Sequence, residues 1–70
     1  MSNLSDKIKT IRISKGMTQK QLAGILNVSQ NAIYNWENGK REIKIETLQK
    51  IADALGCGLV ALMGIDEYKK

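Results

Sequence analysis

A chain of seventy residues with a formal net charge of +4, one cysteine and no histidine has room for one domain, residues 1–70, and for few kinds of chemistry. A zinc site cannot be assembled from a single thiol without histidine. No phosphate-cradling glycine loop and no Ser-His-Asp set is present either, so the chain is read as no enzyme and as needing no cofactor.

Eleven Lys and Arg stand against seven Asp and Glu. That excess favours polyanionic partners, although a surplus of this size also serves solubility, so the positions of the charges must carry the argument. No apolar run approaches the ~20 residues that span a bilayer, and the start, MSNLSDKIK, is polar. The expected location is the cytoplasm, with no membrane partner. A lone thiol, Cys57, suits that reducing compartment and reads first as a small apolar residue.

Gly16, Asn27, Gly39, Gly56 and Gly64 cut the chain into five stretches, each with helical rather than alternating periodicity. The expected fold is therefore all-α, a compact five-helix domain with its core over about residues 4–64 and a frayed tail at 65–70. The first helix, about Ser5 to Lys15, aligns Leu4, Ile8 and Ile11, is capped by Ser2 or Ser5, and stops at Gly16. The second opens on Thr18-Gln19-Lys20-Gln21, a capping box in which Thr18 and Gln21 satisfy each other's backbone donors. Leu22, Ala23 and Leu26 form its apolar side, and Asn27, tolerant of the left-handed conformation, ends it. Gly24 lies inside this helix at a cost of ~1 kcal/mol relative to alanine.

The third helix is expected from Ser29, its cap, to about Asn38, with Gly39 as stop. At ~100° per residue Ala32, Ile33 and Trp36 share one side, while Gln30, Asn31, Tyr34, Asn35 and Asn38 fall on the other. The fourth, about Ile45 to Leu55, turns Ile45, Leu48, Ile51, Ala52 and Leu55 inward. Its start lacks a good capping residue. A short apolar helix, Leu59 to Met63, closes the pattern. Ile13, Ile25 and Ile43 fit none of the inward faces well.

The outward face of the third helix is rich in amides where surface helices usually carry Lys and Glu. An amide offers a donor and an acceptor together and can grip adenine bidentately at its major-groove edge. The same residues also make an ordinary neutral polar face. Context favours DNA. Only about Asn27 and Val28 join the second and third helices, too short for antiparallel packing, so the two must cross steeply, with small Ala23 at the crossing. Lys40, Arg41 and Lys44 follow the third helix, where they can reach flanking phosphates. Lys20, Gln19 and the free amides at the start of the second helix can meet another.

The run Ile8 to Arg12, then Gly16-Met17-Thr18-Gln19, Leu22-Ala23, Val28-Ser29, Ile33, Trp36 to Arg41 and Leu48-x-x-Ile51-Ala52-x-Ala54-Leu55-Gly56 resembles the helix-turn-helix domain of the lambdoid-phage repressor and Cro (Xre-like) family. The resemblance covers about Ile8 to Met63. It implies a sequence-specific transcriptional regulator, a repressor first, that reads double-stranded DNA in the major groove with its third helix. Gln30, Asn31, Tyr34 and Asn35 would contact bases. Thr18, Gln19, Ser29, Asn38, Lys40, Arg41 and Lys44 would hold the DNA backbone, with Gln19 also bracing Gln30. Arg12 and Glu37 match a pair that forms an inward salt bridge in the family. Two departures stand out: Asn27 replaces the usual turn glycine, and Ile43 and Lys44 replace a proline and capping serine before the fourth helix.

The last helix is apolar all round, which a 70-residue monomer cannot fully bury, so Leu59, Leu62 and Met63 are assigned to a homodimer contact. Such a dimer would place two reading helices on a palindromic operator. The rival reading is a protein-interaction module or antitoxin on the same fold, for which acidic or hydrophobic residues in place of the third helix's amides would have argued.

Overall fold

The structure, a computed structural model, describes residues 4–63. A cap at Ser2, the stop at Gly64, the tail at 65–70 and the side chain of Met63 lie outside the described residues. Within them the order is α1 Leu4–Ser14, α2 Gln19–Leu26, α3 Gln30–Glu37, α4 Ile45–Leu55 and α5 Leu59–Met63, with no strand. No helix among the described residues is long and apolar enough to cross a membrane.

Local chemistry explains the boundaries. The Thr18 hydroxyl accepts from the Gln21 amide at 3.0 Å while the Gln21 side chain accepts from the Thr18 amide at 2.8 Å, so α2 opens with a complete capping box. Ser29 caps α3 by accepting from the Ala32 amide at 3.1 Å. Lys44, at the head of α4, makes no side-chain cap.

The first four helices share one ending. In α2 the amide of Asn27 donates to the Gly24 carbonyl and that of Val28 to the Ala23 carbonyl. The amides of Gly16 and Met17, Gly39 and Lys40, and Gly56 and Cys57 repeat the pattern at the other three. These are Schellman turns, which need one left-handed residue. Asn27 supplies it at φ 60°. It does so because its short amide lowers the usual penalty for a side chain there. The chain therefore reverses between α2 and α3 within three residues, and α2 packs across α3 and α4.

One core gathers Ile8, Leu22, Ala23, Ala32, Ile33, Trp36, Leu48, Ile51, Ala52, Leu55 and Leu62, with Leu4, Ile11, Met17, Leu26, Cys57 and Leu59 packed around it. Three expectations are corrected. Ile45 is 56% exposed, because it occupies the first residue of α4, ahead of the neighbours that cover Leu48. Ile43, expected outside, is half-buried against the core, since the extended backbone before α4 lets a loop side chain turn inward. Leu62 is fully enclosed. A short helix packed on α1 and α4 turns Leu62 into the core, so Leu62 cannot meet a second copy. Ile13 and Ile25, each 57% exposed, do lie outside.

Gly24 is solvent-exposed, and a methyl added there meets nothing within 4 Å.

Candidate nucleic-acid interface

Helix α3 is built in two halves. Ala32, Ile33 and Trp36 are at most 8% exposed and fasten it to the core. Gln30, Asn31, Tyr34 and Asn38 face solvent, and Asn35 is half-buried beside them. Trp36 is thus a packing residue, while Gln30, Asn31 and Asn38 present their amides to solvent. Gln19 from the first turn of α2 joins Gln30, Asn31 and Tyr34 in lining an open hollow of about 390 Å³. The packing of α2 against α3 is what brings residues eleven to fifteen positions apart to one surface.

Beneath that surface lies a buried polar network. The Arg12 guanidinium grips Glu37 with both Nε (2.5 Å) and Nη2 (3.1 Å), and its Nη1 donates to the Met17 carbonyl at 2.7 Å. The two side chains are 9% and 0% exposed. One residue set therefore ties α1, the α1–α2 turn and α3 together. Such a planar fork suits arginine and would not suit lysine. Gln19 extends the network outward: its Nε2 donates to Glu37 Oε1 at 3.0 Å, and its Oε1 accepts from Gln30 Nε2 at 3.5 Å. No buried side-chain polar atom among the described residues is left without a partner.

At the other end of α3 the Asn38 side chain donates to the Tyr34 carbonyl at 2.7 Å. The ammonium of Lys40 sits 5.5 Å from the centre of the Tyr34 ring, a cation–π distance. Lys40, Arg41 and Lys44 are exposed along the loop into α4, and Thr18 and Ser29 are exposed at the heads of α2 and α3. Of the expected base-facing and phosphate-facing residues, Gln30, Asn31 and Tyr34 share one hollow with Gln19.

Sequence reasoning missed two contacts here. The bond from Gln19 to Glu37 depends on how closely α2 approaches α3, which spacing along one helix does not encode. The Lys40–Tyr34 stack depends on the tight exit from α3, where Gly39 at φ 69° turns the chain back over its own last turn. Gly39 was the readable signal for that reversal, which the Schellman bond from the Lys40 amide to the Asn35 carbonyl, 2.9 Å, closes.

Residues 8–62 match the family model described as helix-turn-helix. The chain is similar to the HTH-type transcriptional regulator ImmR of Bacillus subtilis (strain 168), 32% identical over 97% of this chain and 54% of that protein. It is also similar to the cryptic phage CTXphi transcriptional repressor RstR of Vibrio cholerae, 29% identical over 90% of this chain and 57% of that one. The chain thus spans about half the length of the curated relatives it matches. Among solved structures it is similar to the P22 c2 repressor in complex with a synthetic operator, with a TM-score of 0.80, 27% identity, and 90% and 96% of the two chains covered. The match over residues 8–62, together with these likenesses, identifies the chain as a member of the phage repressor and Cro-type (Xre-like) helix-turn-helix family.

Proposed function

We propose that this chain is a sequence-specific double-stranded DNA-binding transcriptional regulator that represses by occupying its operator. The observation that carries the reading is the outward amide face of α3, Gln30, Asn31 and Asn35, mounted on a helix whose other face is anchored in the core. The likeness to a repressor seen with operator DNA supports it. Gln30, Asn31, Tyr34 and Asn35 read base edges in the major groove. Thr18, Gln19, Ser29, Asn38, Lys40, Arg41 and Lys44 hold phosphates on either side. The protein-interaction alternative is not favoured, because the exposed face of α3 is neither acidic nor apolar. The reading gives the chain no catalytic role.

The test is a selection of binding sites from random duplexes, run in parallel on the natural chain and on Gln30→Ala, Asn31→Ala and Asn35→Ala. Each truncation empties no core space and is expected to leave the melting temperature nearly unchanged. Each is also expected to relax one base-pair position by about 1–3 kcal/mol, most readily an A·T pair, while other positions keep their preference. Three variants returning the original motif at full strength would remove α3 as the reader. We also propose a homodimer on a palindromic operator, so the recovered motif should be two-fold symmetric. With Leu62 enclosed, the self-contact falls to Leu59 and to Val60, 41% exposed, on α5.

Salt dependence checks the phosphate contacts separately. Log affinity is expected to fall with log salt at about −0.9 per neutralised phosphate. Lys40→Ala or Arg41→Ala should reduce that slope by about one and weaken all duplexes alike. Affinity independent of salt would exclude DNA as the partner.

A further inference from the structure

We propose that Glu37, buried and out of reach of DNA, sets the donor–acceptor order of the Gln30 amide through Gln19, and so selects the base that Gln30 accepts. This deepens the DNA-reading role given to Gln30 above and rests on it.

The argument follows from what each group can do in a hydrogen bond. A carboxylate only accepts. Glu37 is held by Arg12 through both oxygens, and its Oε1 also faces Gln19 at 3.0 Å. Gln19 must therefore turn its NH2 toward Glu37, which directs its own oxygen the other way. That oxygen is the atom facing Gln30, at 3.5 Å, the long end of the hydrogen-bond range. An oxygen can take only an N–H there, so Gln30 places Nε2 beside Gln19 and Oε1 at the far end of its amide.

The two ends of a glutamine amide are nearly identical in shape, and a free one adopts either order. Here the order is inherited from a charge fixed in the core, and it is inherited by chemistry rather than by packing. One Nε2 hydrogen of Gln30 remains for a base. Adenine presents an acceptor at N7 beside a donor at N6. The fixed amide meets this pair with N–H on N7 and oxygen on N6–H. Reversal would set donor against donor and acceptor against acceptor. Arg12 and Gln19 are thus positioning residues for Gln30, with Glu37 as the root of the chain.

Replacing Glu37 itself would break the buried ion pair, so the test is placed on half-buried Gln19, where variants are expected to fold, as thermal melts will check. Lysine at this position is a donor only: Gln19→Lys pairs with Glu37 and offers N–H to Gln30, whose Oε1 must then turn inward. Leucine neither donates nor accepts: Gln19→Leu leaves the Gln30 amide free to adopt either order. In parallel site selections, Gln19→Lys is expected to lower the preference for the natural base at the Gln30 position by on the order of tenfold. All other positions should be kept. Gln19→Leu is expected to lower that preference by a smaller factor, since Gln30 is free in either order, while binding every duplex more weakly through the lost phosphate contact. A Gln19→Lys or Gln19→Leu protein that selects the natural base at full strength overturns the proposal. Gln30→Ala in the same run separates the two levels. If it too returns an unchanged motif, Gln30 reads nothing and the functional reading of α3 fails with the relay.

Discussion

Glu37→Ala is expected to cost about 3–5 kcal/mol of folding stability, a large part of what a small domain has in total, about 5–15 kcal/mol. The substitution leaves the Arg12 guanidinium buried without its carboxylate, with its Nη1 bond to the Met17 carbonyl still in place, and it also releases Gln19. The cost comes from the stranded charge more than from the lost attraction. The pair itself need not be strongly stabilising, because each ion was desolvated to make it. A double replacement, Arg12→Met with Glu37→Leu, is therefore expected to unfold much nearer the natural midpoint than Glu37→Ala alone. Urea unfolding of the three proteins decides this. A single variant that melts like the natural chain would mean that the pair is open to water.

Leu62→Glu is expected to leave the chain unfolded at room temperature. The carboxylate would enter a position with no exposed surface and no partner, against Ile8-, Ile51- and Leu55-type neighbours of the core, a loss that a domain of this size cannot absorb. Leu62→Ala, which only empties space, should cost about 2–5 kcal/mol. Val60→Glu, on the exposed side of the same helix, should stay within about 0.5 kcal/mol. Circular dichroism and thermal melts read all three. If Leu62→Glu stayed folded and lost only self-association, Leu62 would belong to an interface and not to the core.

The contrast between Leu62 and Val60 marks where the sequence could be read and where it could not. Elements were legible because their signals are local: α4 begins and ends where periodicity and Gly56 placed it, and Thr18, Gln21, Ser29 and Asn27 act in the backbone as their side chains dictate. The inward face of α3 was legible too, since Ala32, Ile33 and Trp36 return every three to four residues. What spacing cannot tell is which part of a helix another element covers. Ile45 carries the right phase and sits on an uncovered first turn, Ile43 carries no phase and is drawn inward, and Leu62 lies in a helix too short to have a distinguishable apolar side. At the site, each amide could be assigned an outward direction from the sequence. The wiring among Gln19, Gln30 and Glu37 runs between two helices and needed their crossing to be seen.

The division of α3 into a fastened face and a free one has a consequence for how relatives of this chain can diverge. Positions 31 and 34 are exposed, so operator preference there can drift by single substitutions while the fold stays intact. Position 30 is different, because its amide is oriented from beneath through Gln19. A change of base at that position is expected to require a change at 19 as well, so new specificities should arise one residue at a time along most of the helix and in coupled pairs at its start.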